Sequence, residues 1–531
     1  MNLLVYFPPL KQLVFDLIPQ NYSNTTNLIK WDTFFFLIPE TQIILIICTL
    51  LIAYSLIMSG KRYNTLLNYI SDISLFSLFS IYLTLLTQPF NNNTVYYLFD
   101  GIFEVSLSTL ILKKLIIFIT FFILYISKIF LKSQKGLFFE YYILFLCLTL
   151  GAFIAISAND FLILYLGLEM QSLAATVLAC FDGKHMGNEA GLKYFLVGCL
   201  SSGLLLFGFA LISSTFGTQN LTKISLHSLF LIKQKNFLSS YMYYNTLIGL
   251  FCILIGFLIK LGVAPFHLWV ADVYEGSLLP VAIYFATVQK LVTFVIFIKL
   301  FKITFIGFEF LIQPFVILTA ICSMIFGGML AGYTFVIKRF LAFSSITHMG
   351  LILLGFSFSN NEGLQVSILY FIIYLIVTIS AWFSITYTGL ILDEQSNNVN
   401  IKYINDLTLF AKSEPFLGVI IITNLFSMAG IPPVAGFFAK SYLLASLINQ
   451  ITSINSVSIF MNNNNYITFL YIQSCFISIF ISIVAGFYYL KLIKEIYSKQ
   501  TLGKKFRLPN LVYKNILIIT FFYKYFWVYH L

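Results

Sequence analysis

The stretch FCILIGFLIKLGVAPFHLWVADVYEGSLLP, residues 251–280, reads as a membrane helix that contains a lysine and is then broken. Lys260 sits in the apolar run, and Gly262 and Pro265 interrupt the helix within about the next turn. A charge near the bilayer midplane costs roughly 3 kcal/mol on insertion scales. A proline inside a helix also frees the carbonyl four residues back, here that of Leu261, which needs another partner. A chain that keeps both costs in one helix points to an ion or proton path. The alternative on this stretch alone is a proline kink whose lysine snorkels to the headgroups.

Composition sets the frame. The chain has 531 residues, 60% hydrophobic and 10% charged, with a mean hydropathy of +0.92. Soluble domains carry about 25% charged residues, so this is a polytopic, all-α membrane protein. The net charge of +11 does not call for nucleic acid, because the cations fall mostly in short loops between apolar runs. The seven cysteines are scattered singly, with no CxxC and no Cys/His cluster, so neither an iron–sulfur centre nor a structural zinc is expected. The N-terminus does not read as a cleavable signal or transit peptide. Heavy use of Phe, Ile, Asn, Lys and Tyr fits an AT-rich genome, that of an organelle or of a bacterium that shares the bias.

Residues 1–33 carry no clear span and are read as an N-terminal extension with room for a short interfacial helix. Apolar runs long enough to cross a bilayer then recur near 34–57, 68–90, 113–131, 138–156, 160–181, 190–215, 246–264 and 278–302. Six more lie near 309–332, 339–357, 366–391, 416–448, 466–490 and 512–529, which makes fourteen. Odd-numbered loops hold 16 Lys/Arg against seven in even loops, the latter including Lys113, Lys114, Lys299 and Lys302. The positive-inside rule then puts odd loops on the cytoplasmic or matrix side and both termini opposite.

The break at 262–265 has a counterpart. Gly430-Ile431-Pro432-Pro433 lies 168 residues and five spans later, followed by Lys440. An odd number of spans between them makes the two units inverted, and paired broken helices in inverted repeats point to a transport site near the midplane. The domain reading is 34–137 for helices one to three, 138–302 and 303–490 for two five-helix repeats, and 491–531 for a basic loop and last helix.

Few charges fall well inside the spans: Glu169, Lys193, Lys260, Lys290 and Lys440, with His267 and His348 beside them. Glu169 and Lys193 are expected on neighbouring helices, as a proton-exchanging or a purely structural pair, and Glu169 is equally a candidate partner for Lys260. Alternating carboxylate, lysine and imidazole suit a proton relay. Lys440 could equally snorkel beyond its break, and the two histidines could be hydrogen-bonded core residues. Lys338 reads as a topology signal or relay member, while Asp272 and Glu275 read as loop-fixing or capping groups.

Seven segments carry a resemblance: FFLIPE (35–40), GLEMQSLAATVLACF (167–181), NEAGLKYFLVGCLSSGLLLFG (188–208), IKLGVAPFHLWVADVYEGS (259–277), PVAIYFATVQK (280–290), IKRFLAFSSITHMG (337–350) and SMAGIPPVAGFFAK (427–440). In this order they resemble the antiporter-like membrane subunits of respiratory complex I, most closely the subunit 2 branch. The resemblance implies fourteen helices, two inverted five-helix repeats and breaks in helices seven and twelve. It places Glu169 on the family's helix-five glutamate and Lys193 on the helix-six lysine. Lys260 falls on the broken-helix lysine, Lys290 on the connecting lysine of helix eight, Lys440 on the terminal lysine of helix twelve and His348 on the helix-ten histidine. One departure is Val270-Ala271 where the family usually has Thr-Pro.

The resemblance implies a proton-translocating subunit of NADH:ubiquinone oxidoreductase with no redox centre of its own. FMN, iron–sulfur clusters and ubiquinone would be held by partner subunits, and neighbouring antiporter-like subunits would share the membrane arm. The implied setting is the mitochondrial inner membrane, with a chloroplast complex as a variant. Two rival readings are a free-standing cation/proton antiporter subunit and a structural spacer that no longer pumps.

Overall fold

The computed structural model describes residues 25–27, 36–57, 63–88, 95–133, 139–233, 241–358, 361–393, 403–404, 415–458 and 465–498. The expected fourteenth span, near 512–529, lies outside them, as does nearly all of the N-terminal extension. Twelve helices among the described residues are long and apolar enough to cross a membrane, and the shorter apolar helix Phe416–Ala429 adds the start of the twelfth expected span.

The helices are α1 Ile38–Ile57, α2 Tyr63–Thr87, α3 Leu107–Ser133, α4 Phe139–Ser157, α5 Phe161–Ala179 and α6 His185–Phe216. After the short α7 (Leu221–Lys233) comes the broken pair α8 (Tyr241–Leu261) and α9 (Leu268–Gly276). The next span is α10, Leu279–Thr304, which has π-helical turns at Phe285–Gln289 and Lys299–Thr304. Then follow α11 (Glu309–Tyr333), α12 (Ile337–Phe356), α13 (Asn361–Asp393), the second broken pair α14 (Pro415–Ala429) and α15 (Ala435–Ser458), and α16 (Asn465–Ser498).

By internal packing the chain forms two compact units. One is built from Phe15–Leu261 and Gly276–Glu309; among the described residues the other comprises Gly262–Glu275 and everything from Phe310 onward. The division therefore passes through the first broken helix, so α8 belongs to one unit and nearly all of α9 to the other.

Two sequence expectations are corrected in the first unit. The third span begins at Leu107, not near 113, so Lys113 and Lys114 are helix residues and not loop cations. Lys113 is 1% exposed and donates at 2.5 Å to Glu40, itself 6% exposed, in the first turn of α1. Its ammonium also lies 5.7 Å from the centre of the Phe153 ring. Paired lysines near one end of an apolar run mimic a loop boundary, which is why the pattern misplaced them. Breaking a buried ion pair from one side costs about 3–5 kcal/mol, whereas replacing both partners by apolar groups is often neutral. Lys113→Met alone should therefore lower the unfolding temperature of the purified protein clearly, and Glu40→Leu combined with Lys113→Met should restore most of it. Lys299 and Lys302 are likewise part of α10 and not of a loop.

The other addition is a small sheet. Three short strands, β1 Thr25–Asn27, β2 Val95–Leu98 and β3 Phe103–Val105, pair in the order β1-β2-β3, with β1 parallel and β3 antiparallel to β2. The hairpin turns through Phe99, Asp100 and Gly101, all at positive φ. Asn159 and Asn220 both donate to the Gly101 carbonyl, at 2.9 and 3.0 Å. Lys299 fixes β3 by donating to Glu104 and to the Ala158 carbonyl, each at 2.8 Å. Within the helical layer, α6 and α8 pack closely where Gly208 faces Gly249; a Cβ at Gly208 would lie 2.7 Å from the Gly249 carbonyl. Small residues at such crossings let membrane helices approach to backbone contact.

Candidate functional site

The first break follows from two residues. Gly262 takes a left-handed conformation (φ +69°), which only glycine adopts cheaply, and a Cβ there would also strike the Val270 side chain. Pro265 has no N–H, so α8 ends at Leu261 and helix resumes at Leu268. Lys260 thus sits in the last turn of α8 and is 8% exposed. Its ammonium is 3.9 Å from Oε1 of Glu169 on α5.

Of the two lysines expected to feel Glu169, Lys260 is the one in contact with it. Lys193 pairs with Glu189 one turn earlier on its own helix at 2.7 Å, not with Glu169. The reason is helix phase. The side chain of Lys193 is 41% exposed and shares its face with the exposed Leu192, Leu196 and Leu200. Its neighbour Tyr194, about 100° around the helix, is the residue that points inward. Tyr194 is 5% exposed and accepts a hydrogen bond from Gln289 at 2.7 Å. A solvated or lipid-edge i,i+4 pair is worth only about 0.3–0.5 kcal/mol.

Lys290 is the first residue after the π turn Phe285–Gln289 and is 2% exposed. The turn is ringed by hydrogen-bonded polar groups. Gln171 on α5 donates to Tyr284 at 2.8 Å, Gln289 donates to Tyr194, and Thr293 donates to the Gln289 carbonyl at 2.9 Å. π turns interrupt the regular ladder and are frequent at functional sites. Glu169, Lys260 and Lys290 therefore all belong to the first unit, with Glu169 and Lys260 in contact.

The second unit repeats the scheme with different chemistry. Gly430 is also left-handed (φ +79°), and a Cβ on it would fall 2.7 Å from Cδ of Lys440. In a continuous helix the carbonyls of Met428 and Ala429 would accept from the N–H groups of residues 432 and 433. Both of those residues are proline. The Lys440 ammonium takes over, donating at 3.0 Å to Met428 and 2.7 Å to Ala429. The lysine is thus folded back into the break rather than reaching for the headgroups.

His348 on α12 is buried, with Nδ1 3.1 Å from the Tyr370 hydroxyl and its ring tilted against Tyr374. His267, in the first break, is 6% exposed and stacks on Phe326 at 5.6 Å. Its Nδ1 is buried with no hydrogen-bond partner. Asp272 and Glu275 are both bound by Arg339, and Lys338 donates to the Glu275 carbonyl at 3.2 Å. These four residues fix α9 to the start of α12, in line with a loop-fixing role for the two acids. Tyr370, Tyr194 and Glu40 were not singled out in the sequence; each is an ordinary residue type within an apolar run until its partner is known.

Residues 158–468, more than half the chain, match the family described as NADH:quinone oxidoreductase/Mrp antiporter, transmembrane. The chain belongs to this family. It is similar to the NADH-quinone oxidoreductase subunit N of Pelagibacter ubique, 35% identical over 498 residues, 92% of this chain and 96% of the relative. The subunit N of Rhodospirillum rubrum is 34% identical over 75% of each chain. Among solved structures, the fold resembles a chain of respiratory complex I from Thermus thermophilus with TM-score 0.66, 21% identity and coverage of 92% of this chain and 97% of that one. A chain of an archaeal membrane-bound sulfane sulfur reductase gives TM-score 0.73 at 19% identity over 94% of each chain. A chain of the Mrp complex from a Dietzia species gives 0.66 at 19% identity, covering 88% of this chain and 82% of that one. The family is therefore a multi-pass membrane one, and the two broken pairs α8–α9 and α14–α15 fall inside its matched segment.

Proposed function

We propose that this chain is a proton-translocating membrane-arm subunit of an NADH:quinone oxidoreductase. The observation that carries the reading is the pair of broken helices, each with a lysine at its break: buried Lys260 facing Glu169 and half-buried Lys440 holding the carbonyls of Met428 and Ala429. Relatives named subunit N, one of them alignable over 92% of the chain, support the assembly. In this relay Glu169 sets the field at Lys260, Lys290 passes the proton on, and His348 and Lys440 exchange it with one side. His267 and Lys193 are the weaker candidates, the latter because it faces outward. NADH oxidation, FMN, iron–sulfur clusters and quinone reduction belong to partner subunits. Coupling is electrostatic: a charge change in one subunit alters pairing in its neighbour.

The family also contains antiporters, so ion dependence is the discriminating measurement. With the complex in proteoliposomes, NADH-driven acidification should persist when Na⁺ and K⁺ are replaced by choline. Loss of transport in choline would favour the antiporter reading instead. For location, the AT-rich residue usage supports an organelle-encoded protein of the mitochondrial inner membrane, although the relatives named above are bacterial. Loop charge supports odd loops in the matrix and both termini opposite. Finding the gene on a bacterial chromosome would overturn the mitochondrial placement.

A further inference from the structure

The π turn Phe285–Gln289 of α10 is gripped at both ends, each time by a glutamine–tyrosine hydrogen bond to a different helix. Tyr284, just before the turn, accepts from Gln171 of α5 at 2.8 Å. Gln289, the last residue of the turn, donates to Tyr194 of α6 at 2.7 Å. All four side chains are buried. The ring of Phe285, the first residue of the turn, meets the Tyr194 ring edge-on, with centroids 5.0 Å apart. Two hydroxyls serve backbone carbonyls on either side: Thr287 donates to Ile283 at 2.7 Å and Thr293 to Gln289 at 2.9 Å.

Nothing in the local sequence forces this irregularity. Sharp departures from a regular helix usually mark a proline or glycine, and the turn reads FATVQ. Its cause is therefore tertiary. The Gln289 side chain is not placed there for its own satisfaction either, since its Oε1 is buried with no hydrogen-bond partner among the described residues. A buried acceptor left in that state calls for a reason. Lys290 supplies one. It is the first residue after the turn and is almost wholly buried. A π turn holds one residue more than the α-helical turn it replaces, and each residue of an α-helix advances about 100° around the axis. Closing the turn would thus rotate Lys290 by roughly 100° relative to Tyr284.

We propose that Tyr194 and Gln289, with Gln171 and Tyr284 at the other end, are positioning residues: their two hydrogen bonds keep the π turn open and so fix the rotation at which α10 presents Lys290. The inference rests on the relay reading above and adds what sets the direction of its middle lysine. None of the four exchanges a proton in this role; each acts by where it holds the backbone of α10. Tyr194, and not Lys193, is the residue through which α6 takes part.

The test uses the whole complex in proteoliposomes and compares Tyr194→Phe, Gln289→Leu, the two combined, and Lys290→Met. Tyr194→Phe keeps the ring against Phe285 and removes only the hydroxyl. It should lower protons moved per NADH at least threefold, with assembly and NADH:quinone turnover under uncoupler unchanged. Gln289→Leu should match it, and the double variant should lose no more than either single one, because both remove the same bond. A double loss equal to the product of the single losses overturns the shared bond. Unchanged coupling in Tyr194→Phe, with a loss in Lys290→Met, overturns the positioning role and leaves the relay standing. Unchanged coupling in both overturns the relay and the positioning role with it. If Tyr194→Phe does not assemble, Tyr284→Phe decides, since it cuts the bond at the other end of the turn. A threefold loss of coupling there supports the proposal, and wild-type coupling overturns it.

Discussion

Replacing Lys260 with methionine should reduce NADH-driven proton transport more than tenfold in a complex that still assembles. Methionine keeps the length and apolar stem of the side chain and removes only the charge. At 3.9 Å from Glu169, that charge interacts on the order of 4 kcal/mol with the carboxylate, taking an effective dielectric of about 20. Such an energy is comparable with a hundred- to thousandfold change in a proton-transfer equilibrium. Glu169→Gln removes the other side of the same interaction but leaves the lysine able to carry a proton, so a smaller loss is expected. The measurement is quenching of a pH-sensitive dye per NADH oxidised, with assembly followed on native gels. Transport at the wild-type level in Lys260→Met would leave the first break without the role assigned to it.

Gly436→Ala should be strongly damaging for so small a substitution. Gly436 opens α15 directly across the break from α14, and a Cβ there would collide with the carbonyl of Ser427. Overpacking a core commonly costs about 1–3 kcal/mol and sometimes more. Here the obstacle is backbone rather than a side chain that can rotate, so the upper end or beyond, about 3 kcal/mol, is expected. Moving α15 away would also withdraw Lys440 from the carbonyls of Met428 and Ala429, which no proline N–H can replace. The expected result is a severalfold lower yield of assembled complex and a lower unfolding temperature. Gly198→Ala is the control: nothing lies within 4 Å of a Cβ at that position on α6, and alanine is favoured over glycine inside a helix by roughly 0.5–1 kcal/mol.

The architecture was legible because a bilayer imposes its own grammar on sequence. Runs of about 20 apolar residues recur as helices, and the two Gly-x-x-Pro matches fall on the two helix breaks. The break at 430–433 could have been read further, since the i to i−4 rule names Met428 and Ala429 as the carbonyls stranded by Pro432 and Pro433. Helix phase was the information missing for Lys193: a charge in an apolar span gives no direction until its neighbours are seen, and Leu192 and Leu196 point out with it. Lys113 was misread because two adjacent lysines near a run's end resemble a loop, and only its contact with Glu40 on a distant helix reveals a buried pair.

The central claim is that this chain moves protons inside an assembly whose redox chemistry lies elsewhere. Purifying the tagged chain from its native membrane under mild detergent tests it most directly. The account predicts that flavin and iron–sulfur proteins co-purify in fixed ratio, and that the isolated assembly oxidises NADH with a quinone and acidifies proteoliposomes as it does so. Recovery of the chain without flavin or iron–sulfur partners, or with partners that exchange cations for protons in the absence of NADH, would contradict it.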